Sequence, residues 1–125
     1  MGALMVALTL PLRVNANARG HWRALAAKTA AQRKGVALAV RLHRGVSACT
    51  LHLTLGGRLR VELTRVAPRE LDWHDNLRTA LKPVVDGVGD ALGLKSDRDV
   101  RLAWDYAQAR GAPRMYAVKI SISRE

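Results

Sequence analysis

Asp72, Asp75, Asp97 and Asp99 are the residues whose type and spacing best suit chemistry. The first two flank the start of a helical stretch, and the second two follow its end in the run Ser96-Asp97-Arg98-Asp99. Carboxylate oxygens with no cluster of cysteine or histidine beside them suit Mg²⁺ or Mn²⁺. Three or four carboxylates brought together repel one another, and a divalent cation relieves that repulsion. Such an ion polarises a phosphate and lowers the pKa of a bound water. Lys82, on the helical stripe of Asp75, offers a fixed positive charge for a pentacovalent phosphate. A structural reading stands beside this one: Asp75 or Asn76 caps the helix, and Asp97 and Asp99 shape a turn. Spacing leaves both readings open for Asp72, Asp75 and Asp97. Asp86 and Asp90 read as structural, with Asp86 paired to Lys82 one turn away.

The acids stand out because the chain around them is basic. Its 21 Lys and Arg against 10 Asp and Glu give a net charge of +11, and no acid precedes Glu62. That balance favours a nucleic-acid partner over an anionic membrane surface. The apolar run from Ala3 to Leu12 is broken by Thr9 and Pro11 and is far short of the ~20 residues of a spanning helix. It lacks the charged leader of a signal peptide and reads as a buried first strand. A single cysteine, Cys49, excludes an internal disulfide and a cysteine zinc cluster, which fits a reducing cytoplasm. At 125 residues the chain reads as one domain, 1–125.

The elements that must position these residues follow from periodicity. Leu4 to Leu10 is an apolar strand, central in its sheet, with Pro11 ending it or setting it near an edge. A polar turn follows through Arg13, Asn15, Arg19 and His21. From about Gly20 to His43 the pattern predicts a long helix with Trp22, Leu25, Thr29, Val36 and Val40 on one face. Gly35 costs roughly 1 kcal/mol in its interior and invites a break. Arg19, Arg23, Arg33, Lys34, Arg41 and Arg44 share an adjacent arc. The helix holds no carboxylate to pair with them, which points the arc at phosphates. Ala48 to Leu55 and Arg58 to Val66 alternate around Gly56-Gly57 and predict a hairpin. Asp75 or Asn76 to Leu92 is a second helix with a clear apolar face, bent at Pro83 and stopped at Gly93. Val100 to Gln108 and Tyr116 to Ile122 are the last strands. The order β-α-β-β-α-β-β predicts a small α+β domain, a mixed sheet with two helices covering one face. A second helix of about 17 residues spans roughly 25 Å. Asp97 therefore approaches the acids at its start only if the following loop folds back along the helix.

Four segments, taken in order, carry a resemblance. They are Pro11 to Trp22 with Asn15, Arg19 and His21; Leu71-Asp72 with Asp75-Asn76-Leu77; Ala80-Leu81-Lys82 with Asp86-Gly87-Val88 and Asp90-Ala91-Leu92-Gly93; and Asp97-Arg98-Asp99 with Trp104, Tyr106 and Gln108. Together they resemble the RusA-like family of Holliday-junction resolvases, in its phage-borne branch, over nearly the whole chain. The resemblance implies a homodimeric, Mg²⁺- or Mn²⁺-dependent endonuclease that nicks four-way or branched double-stranded DNA. It implies Asp72, Asp75 and Asp97 as catalytic acids and metal ligands, Asp99 as a further ligand, and Lys82 as the basic catalytic residue. Arg13, Asn15, Arg19, His21, Arg23, Lys34 and Arg78 become the expected DNA contacts. Two residues separate Asp72 from Asp75, where the family's compact signature has one. A junction-binding module without catalysis, or a nuclease for flaps or RNA, are the alternatives.

Overall fold

The structure, a computed structural model, describes residues 3–13, 22–71, 76–95 and 97–125. Alternating burial along four segments sets its sheet. Strands β1 (Leu4–Pro11), β2 (Leu59–Ala67), β3 (Leu102–Arg110) and β4 (Ala117–Arg124) lie in the order β1-β4-β2-β3. β4 is antiparallel to β1 and β2, and β3 runs parallel to β2. Leu59, Val61 and Leu63 of β2 and Val118, Ile120 and Ile122 of β4 are fully buried, as their period of two predicts. Helices α1 (Trp22–Leu42), α2 (Val46–Thr54) and α3 (Asn76–Ala91) contribute Val36, Val40, Cys49, Leu53 and the apolar face of α3 to the same buried cluster. The class is α+β with a mixed sheet. Among the described residues there are three helices where two were expected, and the order is β-α-α-β-α-β-β.

The difference lies in residues 46–54. Leu51, Leu53 and Leu55 alternate, which predicts a strand. The chain makes α2 instead, because the pairs that reach the core are Cys49 and Leu53, four residues apart. Leu51 and Leu55 stay exposed. Gly56-Gly57 is accordingly a helix stop and not a hairpin turn. Gly56 takes φ +88°, which favours glycine, and its N–H donates to Leu53 O (3.1 Å) while the Gly57 N–H donates to His52 O (2.8 Å). These two bonds form a Schellman closure. β2, without a hairpin partner, pairs with β4 and β3. β1 is an edge strand rather than a central one. Pro11, its last residue, lacks an N–H and suits that edge.

α1 and α3 meet closely at Gly87. A Cβ placed there would stand 2.7 Å from both Arg33 O and Val36 Cβ. Trp22 and the first turns of α1 do not join this contact: Trp22 is 67% exposed, while Gln32, Val36, Ala37 and Val40 are buried. α1 runs through Gly35 unbroken and α3 runs through Pro83. The parallel β2–β3 pair needs a crossover, and α3 supplies it. Among the described residues no helix is long and apolar enough to cross a membrane.

One substitution should act with opposite signs at two glycines. At Gly35 a Cβ meets nothing within 4 Å, so Gly35→Ala should stabilise by about 0.5–1 kcal/mol through helix propensity. Gly87→Ala should destabilise by about 1–3 kcal/mol, because the neighbouring carbonyl cannot give way. Urea unfolding midpoints of the two variants check this. Equal shifts in one direction would mean that the α1–α3 crossing is not so close.

Candidate active site

Arg78, Lys82 and Asp86 recur every four residues on α3 and so share one polar stripe. Lys82 Nζ lies 3.0 Å from Asp86 Oδ1 and 3.1 Å from Asp97 Oδ2. The loop after α3 therefore folds back along the helix, as convergence requires. Asp97 is held there a second way, because Trp104 Nε1 on β3 donates to its carbonyl oxygen at 3.0 Å. Tyr106 follows on the same strand, and the Arg78 guanidinium carbon stands 5.4 Å from its ring centroid. Asp86, then Asp97, raise the Lys82 pKa. The Lys82 hydrogen bond lowers that of Asp97. Both groups are charged at neutral pH. Burial, with a smaller contribution from Asp97, raises the Tyr106 phenol, which stays neutral there. The arrangement offers a carboxylate to a cation and an ammonium to a phosphate oxygen.

Leu71, the last described residue before the acidic segment, is held by a residue whose role the sequence did not give. Gln108 on β3 accepts from the Leu71 N–H and donates to the Leu71 carbonyl, both at 2.8 Å. The Leu71 carbonyl belongs to the planar peptide group that joins Leu71 to Asp72. Gln108 thus holds both backbone polar groups of Leu71. Opposite it in register stands Arg65 of β2. Arg65 is 3% exposed and donates to Arg69 O at 2.8 Å, while its Nε has no partner among the described residues. Burial lowers its pKa. The signal for Gln108 was present: Trp104, Tyr106 and Gln108 alternate and must share a face of their strand. Nothing in the sequence separates Arg65 from the many exposed arginines.

The remaining expected residues divide. Asp72, Asp75, Asn15, Arg19 and His21 lie outside the described residues. Lys82, Asp97 and Arg78 come together. Asp99 does not join them: Arg101 takes both its oxygens, through Nη2 at 2.8 Å to Oδ2 and through Nε and the backbone N–H at 3.0 Å to Oδ1. Among the described residues no group of three His, Cys, Asp or Glu comes together to hold a metal ion. Arg13 is held through its backbone, its N–H donating to Gln32 Oε1 at 2.5 Å. Arg23 lies over the exposed Trp22 ring at 5.2 Å, and Lys34 is exposed on α1. The basic arc of α1 does find carboxylates. Arg33 binds Asp90 at 2.7 and 2.8 Å, and Arg41 donates to the Asp90 carbonyl at 3.2 Å. Helix packing supplies from α3 the acid that α1 lacks, so those two cations serve the fold.

Arg101 holds the Asp99 pKa down to about 2, against an ordinary 3.8. A depressed carboxyl stabilises the fold above its unfolded pKa and loses that contribution as pH falls through the folded value. The window here runs from about pH 4 down to about 2. A carboxyl ¹³C titration should give a midpoint near 2 for Asp99, rising to the ordinary range in Arg101→Gln. An unmoved midpoint would remove Arg101 as the cause.

No protein-family model matches the chain. It is similar to an uncharacterized protein of Xylella fastidiosa (strain Temecula1 / ATCC 700964), 36% identical over 100 residues, which make up 77% of this chain and 63% of that protein. The chain thus spans a little under two-thirds of the relative's length.

Proposed function

We propose that this chain is a metal-dependent endodeoxyribonuclease that hydrolyses phosphodiesters at four-way or branched DNA junctions. The observation that carries the reading is the return of Asp97 to Lys82, beside the strand whose Gln108 holds the approach to Asp72. Asp72, Asp75 and Asp97 would hold Mg²⁺ or Mn²⁺, which when bound supplies a Lewis acid and a more acidic water. Lys82 sits where an ammonium offsets charge that builds on a phosphate. Arg78 neighbours it and carries a second cation toward the same strand. Asp99 remains with Arg101 and contributes through its loop. Arg13, Arg23 and Lys34, with Asn15, Arg19 and His21, provide the wider contact to the DNA backbone, which fixes position without reading sequence. Two symmetric strands call for two active sites, so the working form is a homodimer.

One observation favours a second reading, a junction-binding module without catalysis. Both described aspartates of the expected metal set already have cationic partners, Lys82 and Arg101.

The two readings part in a nicking assay on a four-way junction against a linear duplex of equal length, with Mg²⁺, Mn²⁺ or EDTA. Wild type should cut the junction only with metal. Asp75→Asn and Asp97→Asn should each lose at least about 10²-fold in rate, as when a transition-state contact is removed, and keep junction affinity. Tight binding with no cuts under either metal would contradict the nuclease reading. Equal cutting by Asp75→Asn would remove that residue from the site.

A further inference from the structure

The loop that returns Asp97 to Lys82 has another side. There it borders an open basin of about 400 Å³ lined by Gly93, Leu94, Lys95, Arg98, Asp99 and Arg101. Three cations and one carboxylate give that lining a formal charge of +2. The carboxylate is Asp99, whose two oxygens are both turned to Arg101. The basin therefore presents no free acid to a cation. Lys95 and Arg98 are exposed, and no described acid forms an ion pair with Lys95. Among the described residues the lining holds no aromatic ring on which a base could stack. Its chemistry suits a phosphate group and leaves a base unread.

We infer that this basin, built by Lys95, Arg98 and Arg101, is a backbone-phosphate site for the DNA strand that passes Lys82 and Asp97. The inference rests on the nuclease reading above and adds a contact on the face of the 94–101 loop that none of the expected DNA-binding residues occupies. Asp97 and Arg98 are consecutive, so the loop points one residue at the candidate active site and the next at the basin. One DNA strand carries a phosphate about every 3.4 Å along its axis. A strand with one phosphate at Lys82 places its neighbours within reach of long side chains on the same loop. The basin anchors the strand, while the Lys82–Asp97 pair meets the phosphate to be cut.

The test is the salt dependence of affinity for a fluorescein-labelled four-way junction, read by anisotropy in EDTA across a KCl series. Neutralising two phosphate contacts should flatten the slope of log K against log[salt] by about 1.8. Lys95→Gln/Arg98→Gln should show that change, and Lys95→Gln alone about half of it. Lys119→Gln, on the exposed face of β4, should keep the wild-type slope. A double variant with the wild-type slope would overturn the inference. So would an equal loss in Lys119→Gln, because binding would then follow net charge alone. Wild type that binds no DNA would overturn the nuclease reading and this inference together. Wild type that binds but does not cut leaves the slopes to decide the basin by themselves.

Discussion

The reversal of the chain at Gly93 is the constraint on which both halves of the site depend. Gly93, at φ +75°, donates to Asp90 O at 3.2 Å, and Leu94 donates to Gly89 O at 2.9 Å. That pair of bonds ends α3 and turns the chain back on it. Lys82 lies nine residues before Ala91, about 13.5 Å along the helix axis. The 3.1 Å contact of Asp97 with Lys82 shows that the returning chain comes back that far along the helix. The salt bridge itself is half exposed, and such pairs contribute roughly 0–1 kcal/mol. It selects the end point of a path that the turn and the buried Leu92 have already set.

The path is an excursion. β3 must begin beside β2, where the Leu59 N–H donates to Arg101 O at 2.8 Å. The chain climbs to Lys82 and returns within the residues between Gly93 and Leu102. At the other end of the same parallel pair, Gln108 and Arg65 hold the residues before α3 through backbone atoms. A buried cation carries a desolvation cost, and the Arg65 bond to Arg69 O offsets only part of it. A fold that keeps Arg65 below this loop spends stability on the loop's position. α3 joins the two ends: its N-terminus opens where Leu71 is held, and its C-terminus launches the return.

The apolar strands and α3 were legible because their burial follows the simple periods. Leu59, Val61 and Leu63 have one reading, and so does the face from Leu77 to Val88. In residues 46–54 the alternation of Leu51, Leu53 and Leu55 predicts a strand, whereas the residues that reach the core, Cys49 and Leu53, follow a helical spacing. The choice was made by the core, which a local pattern does not contain. The partners of α1's cations were hidden for the same reason, because Asp90 is 57 residues from Arg33. Lys82 and Asp97 were readable as chemistry. Their contact was not, because it depends on where a loop turns.

In the proposed reading, Asp97, returned to Lys82, and the acidic segment after Leu71 form one metal centre. Paramagnetic broadening of amide resonances by added Mn²⁺ tests it without requiring turnover. The Leu71, Leu77, Asp97 and Arg98 signals should be lost at low Mn²⁺, with those of β1 unchanged, and the effect should be abolished in Asp75→Asn. Broadening spread evenly over the chain, or centred on another cluster, would contradict it.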